Sequence, residues 1–481
     1  MCSAFRAAST GTTTRARSRA RSTCRDSGGT IAALTEPLPL RTKALYSASS
    51  LGGEALSQSR NVWLVYYYTA DERALLPTFV FGAVLTVARL VESFDDALIG
   101  YWSDRTRSRL GRRLPFILAA TPLWALFAFL FFTPPADAGT AVIAAYLFIV
   151  AELYFLASTL SGGPYEALFP EIARTSADRV TIVSLRFYFG AAGFLVGAGL
   201  SGILVDALGF KAMALVMAIV ALAARYAGMF GVWSRAKRTD VEVAEIPLRA
   251  ALAATFSNRQ FVIFLPTFVL FQVGFQLLLG VLPFLVDAVL GKGARLEVLD
   301  LGVSWKAILP VVAFVAALAA AVPFAAAARR RTKREAYSAA MLGAGILFPI
   351  LAFAGFLPGI PKEVQLVVAV AAVGAPVAGV YLFPAALTAD LADYDTVRTG
   401  LRREGMYFGA QNFVEKTSTA ATPLILTSLL YLGKTADDPL GIRLVGPVAA
   451  ALILAAYVIF RFYTLPDQIP AAADRAAPAK A

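Results

Sequence analysis

Arg89, Glu92, Asp95 and Asp96 crowd into one otherwise apolar stretch of the chain. On a helix, positions 89, 92 and 96 share a face, with Asp95 beside it. Carboxylate oxygens gathered in this way suit a hard cation such as Na+, or a proton. An ionisable side chain inside a membrane span costs about 3 kcal/mol on insertion scales, so such residues point to function. A plainer reading is a helix end already in water. It fits poorly here, because Glu92 lies about 13 Å inside a span that ends near Tyr101, at about 1.5 Å per residue. Glu54 is the next such residue. It follows Gly52-Gly53, which let a helix bend or approach a ligand closely. Arg186 and the pair Glu415-Lys416, with Gln411 and Asn412 one turn earlier, extend the set. Lys416 is placed to act as a counter-ion across a bundle. Glu152 and Glu166 are weaker candidates, since Glu166 follows Gly162-Gly163-Pro164 near a span end. Tyr66, Tyr67 and Tyr68 close the first span, where an interfacial aromatic belt is expected.

These residues need helices to hold them, and the composition supplies apolar ones. Of 481 residues, 58% are hydrophobic and 16% charged, against about 25% charged in an ordinary soluble domain. That excludes a disordered chain and argues against a soluble enzyme. A membrane helix takes about 20 apolar residues, so the length suits about twelve spans and leaves no large soluble domain. Apolar blocks divided by charge, Pro and Gly predict spans at 44–69, 75–101, 115–133, 140–163, 182–208, 211–233, 260–288, 304–327, 337–357, 364–389, 405–432 and 441–463. The polar stretch 234–258 divides them six and six. The expected domains are a disordered tail over 1–42, a half over 43–233, this central loop, a half over 259–463 and a tail over 464–481. That is the layout of a two-half transporter. Basic loops follow spans 2, 8 and 10, with Arg105 to Arg113, Arg329 to Arg334, and Arg398 to Arg403. The positive-inside rule puts these loops and both termini in the cytoplasm.

The excess of 44 Lys+Arg over 32 Asp+Glu is then a loop feature, and no nucleic-acid partner is expected. There is no histidine, and both cysteines, Cys2 and Cys24, lie in the N-terminal tail. Proton chemistry must run on carboxylates, Lys, Arg, Tyr or water, and no thiolate metal site is expected in the membrane. The tail is rich in Arg and Ser and lacks an apolar core, unlike a secretory signal. It reads as a disordered segment, a targeting segment or a start codon placed too early. An enzyme is disfavoured: no Gly-x-Ser-x-Gly is present, and Gly433-Lys434-Thr435 lacks the first P-loop glycine, Ser428 standing there. No cofactor is expected beyond a coupling ion.

Between spans 2 and 3, Gly100-x-x-x-Asp104-Arg105 and then Gly111-Arg112-Arg113 resemble the signature loop of the major facilitator superfamily. The longer run from Asp95-Asp96-Ala97-Leu98-Ile99-Gly100 through Ser103-Asp104-Arg105-Thr106-Arg107-Ser108-Arg109 to Pro115 is similar to the glycoside–pentoside–hexuronide:cation symporters, the family of melibiose permease. Tyr66-Tyr67-Tyr68-Thr69, Pro164-Tyr165-x-Ala167-Leu168-x-Pro170-Glu171, Asp178-Arg179 and Arg402-Arg403-Glu404-Gly405 fit the same pattern in order, over about residues 43–463. The resemblance implies an all-α membrane protein with the twelve-helix major facilitator fold, two six-helix halves and both termini cytoplasmic. It implies a monomer in a bacterial inner membrane that symports a sugar or glycoside with H+ or Na+.

By position, Glu54 falls where the family has a sugar-binding Asp. Glu92 and Asp96 fall on its cation-site acids, Asp95 where melibiose permease has Asn, and Thr159 on a hydroxyl ligand of span 4. Arg186, Gln411 and Lys416 match polar residues of the central cavity, and Asn412 and Glu166 complete the expected substrate set. Gly100, Asp104, Arg105, Gly111, Arg112 and Arg113 match the cytoplasmic gating loop. Two positions depart from the pattern. The second sugar-binding acid falls on Gly162, and the tryptophan that stacks on a galactosyl ring falls on Glu166. This sets galactosides apart from the expected substrates. The same branch includes a sodium-coupled lysophospholipid carrier, so an amphiphile is the alternative cargo. In the implied cycle, the cation neutralises Glu92 and Asp96, and Glu54, Arg186 and Lys416 become available to a polar substrate. The halves then rock, with only the empty and doubly loaded forms interconverting readily. The additional acid at Asp95 weights the expectation towards H+ over Na+.

Overall fold

A computed structural model describes residues 38–70, 75–106, 108, 110–111, 113–173, 175–236, 255–298, 301–399 and 404–465. The chain is nearly all helix. In order come α1 (Leu40–Thr69), α2 (Thr78–Arg105), α3 (Leu114–Leu130), α4 (Thr140–Ile172), α5 (Ser176–Phe194), a π segment (Leu195–Leu200) and α6 (Ser201–Ala236). Then follow α7 (Arg259–Leu290), α8 (Trp305–Arg330), α9 (Lys333–Leu347) with a 3-10 turn (Phe348–Phe353), α10 (Lys362–Thr399), α11 (Glu404–Thr419), α12 (Thr422–Tyr431) and α13 (Leu440–Phe460). Among the described residues, seven helical stretches are long and apolar enough to cross a membrane by length and composition. α1 and α2 are not among them, because the polar residues of interest lower their hydropathy.

Several sequence expectations change. The stretch 405–432 is two helices, α11 and α12, parted at Ala420-Ala421. Pro423 has no N–H to continue the ladder and its ring crowds the preceding turn, so the helix restarts there. The stretch 182–208 runs from α5 through the π segment into α6. The turn after it narrows to Gly209, whose φ of +81° suits glycine alone. The all-α expectation is broken by a small antiparallel hairpin, β1 (Arg295–Val298) with β2 (Leu301–Ser304), Arg295 facing Ser304.

The aromatic belt expected at Tyr66, Tyr67 and Tyr68 is also corrected, for all three are buried. A buried phenol needs a hydrogen-bond partner, and the last carbonyls of a helix have none of their own. Tyr67 and Tyr68 accordingly donate to the carbonyls of Phe132 and Phe131 at the end of α3, at 3.0 and 2.9 Å. Tyr66 donates to Asp287 on α7 at 2.8 Å and accepts from Lys306 on α8 at 2.6 Å. Lys306 and Asp287 pair at 2.8 Å, which closes the triad.

Packing sorts the helices into two groups. α1 lies against α5 and α6, and α4 against α2 and α3; in the second group α8 and α9 pack on α10, and α7 on α13. The groups meet where α1 touches α7, α2 touches α12, and the π segment touches α8. α1 is held very closely: a Cβ at Gly193 or Gly197 would overlap the backbone of Leu51 or Ala55. Small residues let helices approach without a polar bridge, and this seam fixes which way the row Ser50, Glu54 and Gln58 faces.

At its N-terminal end α1 is clasped to the start of α5. The Asp178 carboxylate, buried, pairs with Lys43 at 2.7 Å and accepts from the Leu38 N–H at 3.2 Å. Its own N–H donates to the Thr175 cap at 3.1 Å. Burial alone would favour the neutral acid, but the hydrogen bonds from Lys43, Thr175 and Leu38 outweigh it and hold the carboxyl below its usual range. Asp178→Asn is therefore expected to cost about 2 kcal/mol at neutral pH, the scale of hydrogen bonds to a charged group. Because the folded value is depressed, the difference from wild type is full above about pH 4 and is lost as the pH falls through the folded value. Thermal melts across pH check this; a difference that persists or widens in acid contradicts it.

Candidate functional site

Glu54 and Ser50, one turn apart on α1, face a cavity walled by α5, α8 and α10. Its volume is about 310 Å³, and it opens to the outside. Gln58 Nε2 donates to Glu54 Oε2 at 3.1 Å and so orients the acid along the helix. Gly190 of α5 lies opposite and leaves its Cγ free of crowding. Arg186, also on α5, extends its Nε to Ser50 Oγ at 3.4 Å and its Nη2 to Glu166 Oε1 of α4 at 2.5 Å. Glu54, Arg186 and Glu166, distant in sequence, therefore meet at one place. The remaining wall is apolar: Phe187, Phe194, Phe314, Leu318 and Leu382 line it, and Phe194 stacks on Phe314 with centroids 4.2 Å apart. Gly162 and Gly163 of α4 face open space, so the missing second acid leaves room rather than a substitute.

The second constellation joins the two groups of helices. Lys416 Nζ of α11 reaches Glu92 Oε1 of α2 at 3.5 Å. Adjacent helical positions point about 100° apart, so Glu415 is directed elsewhere and is half-buried. Thr159 is buried and its Oγ1 has no hydrogen-bond partner among the described residues. Gln411 is also buried, but its Oε1 accepts from Thr388 Oγ1 of α10 at 2.5 Å. It thus ties α11 to α10. Asn412, the next residue, is exposed. The backbones of Asp95, Asp96, Gly100, Asp104 and Arg105 lie on α2, but their side chains fall outside the described residues, as does Arg112 altogether. Of the expected gating loop, Gly111 adopts φ +88° and its N–H donates to the Ser108 carbonyl at 3.0 Å, while Arg113 precedes α3.

The structure adds Arg60 and Asn61, which the sequence reading passed over, and shows the setting of Arg89. Arg60 of α1 lies over the rings of Tyr154 and Phe155, at 5.0 and 5.5 Å, and Arg89 of α2 lies over Phe155 at 5.6 Å. Asn61 Nδ2 donates to Gln276 Oε1 of α7 at 3.4 Å, across the groups. The signal was present in Gln58-Ser59-Arg60-Asn61, a polar run in the middle of a long helix.

Similarity to known proteins identifies the family. Residues 45–467 match the family described as MFS/sugar transport protein. An uncharacterized symporter of Synechocystis sp. is 23% identical, over 89% of this chain and 95% of its own length. A putative sulfoquinovose importer of Salmonella typhimurium is 25% identical, over 90% of this chain and 92% of its own. Among solved structures, the nucleoside transporter NupG matches with a TM-score of 0.62 at 13% identity, covering 88% of this chain and 100% of that one, a likeness of fold alone. The chain belongs to the MFS/sugar transport protein family: it is a multi-pass membrane transporter of small molecules and not an enzyme.

Proposed function

We propose that this transporter symports a sugar or glycoside with H+ or Na+ by alternating access, as a monomer of twelve spans in two halves. Both termini are assigned to the cytoplasm and the protein to a bacterial inner membrane. The observation that carries the reading is the Glu92–Lys416 pair. It links an acid of the expected cation site to a base of the expected substrate site. A cation arriving at Glu92, with Asp95, Asp96 and Thr159 beside it, takes the place of the ammonium. Lys416 is then free to meet a substrate hydroxyl, together with Glu54 and Arg186. Coupling follows because each ligand makes the other's site available, a reciprocal linkage.

The cross-group contacts support an inward-facing form. Tyr66 with Asp287 and Lys306, Asn61 with Gln276, and Lys434 Nζ with the Thr69 carbonyl at 2.7 Å all gather at the C-terminal end of α1. The positive-inside assignment makes that end the outer one, so the Glu54 cavity is reached from the cytoplasm. A second reading, a carrier of lysophospholipids or other amphiphiles, is favoured by the phenylalanine and leucine wall of that cavity.

Ligand-dependent thermal shifts test both readings, since a ligand that binds only the folded state raises its stability. A panel of mono- and disaccharides, uronic acids and lysophospholipids is compared at two pH values, with and without Na+. A sugar shift that grows with Na+ or acid supports symport. In Glu54→Gln the sugar affinity is expected to fall at least about tenfold, or about 1.4 kcal/mol. In Glu92→Gln the dependence on the cation is expected to vanish. A lysolipid shift with none from any sugar selects the second reading.

A further inference from the structure

Asp287 and Lys306 carry opposite charges on two helices of the same group, α7 and α8, and the side chain of each is only 13% exposed. Their ion pair satisfies both charges without help from the other group. Tyr66 of α1 joins it from across the interface. Its hydroxyl donates to Asp287 and accepts from Lys306, whose ammonium also lies over the ring at 4.3 Å from the centroid. A second junction lies beside this one. β2 runs directly into α8, and Ser304, its last residue, caps that helix by accepting from the Lys306 N–H at 3.2 Å. The Ser304 hydroxyl and N–H both donate to the carboxylate of Asp206 on α6, again across the interface, and Arg295 and Lys306 add positive charge nearby. Arg295 faces Ser304 in the hairpin register, and the Trp305 N–H closes the hairpin base on the Ala294 carbonyl at 3.3 Å. The hairpin is thus an extension of α8 that packs through β2 on α6.

The two junctions divide their charges in the same way. When the groups part on this side, Asp287 keeps Lys306, so no charge is stranded in a low-dielectric space. The bonds that break are those of the neutral Tyr66 hydroxyl and those of Asp206, which stands exposed at the edge of α6. Water replaces both sets at a small net cost. A cavity of about 340 Å³ lined by Tyr66, Asp287, Lys292, Lys434 and Asp437 adjoins the triad and admits that water. We propose that Tyr66, Lys306 and the base of the β1–β2 hairpin form a two-point latch that holds the outer entrance shut, and that the strength of this latch sets how often the empty carrier opens outwards. The inference rests on the alternating-access reading and deepens it.

Distances between spin labels on the full-length carrier test this. Cys2 and Cys24 are the only cysteines in the chain, and both are replaced by Ser. One label is placed at Ala136, between α3 and α4, and one at Lys362, at the start of α10; both residues are exposed, and they lie in different groups. Tyr66→Phe removes the hydroxyl but keeps the ring against Trp63 and Phe284. Asp206→Ala releases the hairpin. Each variant is expected to raise the fraction of long outer distances at least about threefold, the scale of one net hydrogen bond, and the double variant to raise it further. A pair within the first group, Ala136 with the exposed Leu208, is expected to keep its distance in every variant, so local loosening does not imitate opening. An unchanged Ala136–Lys362 distribution in both single variants, or a shift confined to one of them, overturns the two-point latch and leaves the sugar reading intact. A wild type that already shows the long outer distance contradicts the inward-facing form, and the inference fails with it, whereas binding in the sugar panel is judged separately.

Discussion

The contact between Lys416 and Glu92 is the interaction on which the rest of the site depends. A carboxylate between helices in lipid must be neutralised, and a proton, a metal cation and an ammonium group are interchangeable in that task. Here the ammonium is carried by a helix of the opposite group. Whatever occupies Glu92 is consequently felt across the bundle, and in the proposed symport a cation at Glu92 displaces the lysine. That is the minimum a coupled carrier requires: two ligands whose sites share one movable charge. The hydroxyl of Thr159, without a hydrogen-bond partner among the described residues, is consistent with an ion that arrives and leaves.

The neighbouring helix α1, which carries Glu54, is fixed along its whole length. The glycine seam with α5 holds α1 by backbone contact, and the Asp178 clasp holds its first turn. Its last turn is tied by three tyrosine hydroxyls, of which Tyr66 reaches the other group. The two groups touch through apolar packing, as of Phe194 on Phe314, and through polar contacts at Lys416–Glu92 and at the last turn of α1. Such polar contacts exchange at modest cost, whereas the apolar packing within each group does not.

The sequence was informative wherever a residue type contradicts its surroundings. Charge inside an apolar run pointed to Glu54, Glu92, Arg186 and Lys416, and the structure sets them in two neighbourhoods, Glu54 with Arg186 and Glu92 with Lys416. A lysine inside a span also suggested a counter-ion across the bundle, and Lys416 does reach Glu92 of the other group. What was not legible depended on tertiary partners. Tyr66, Tyr67 and Tyr68 look the same in a lipid interface as in a buried lock, because only the carbonyls of α3 and the charges of α7 and α8 tell the two apart. Gln411 is polar and inward by pattern, yet Thr388 holds it against α10. Arg60 was hidden by its neighbours, since a polar residue beside other polar residues raises no contradiction. The break between α11 and α12 was signalled by Pro423, and its structural consequence appeared only with the neighbouring hydrogen bonds in view.

Cation affinity in the absence of sugar tests the central claim most directly. It is measured as Na+- and pH-dependent stabilisation of the purified carrier, wild type against Lys416→Met. If Lys416 holds the place of the cation at Glu92, removing the lysine removes a competitor, and the protein should bind its coupling ion at least about tenfold more tightly. An affinity that is unchanged or weaker would show that Lys416 is a fixed strut rather than a stand-in for the ion, and would contradict the account.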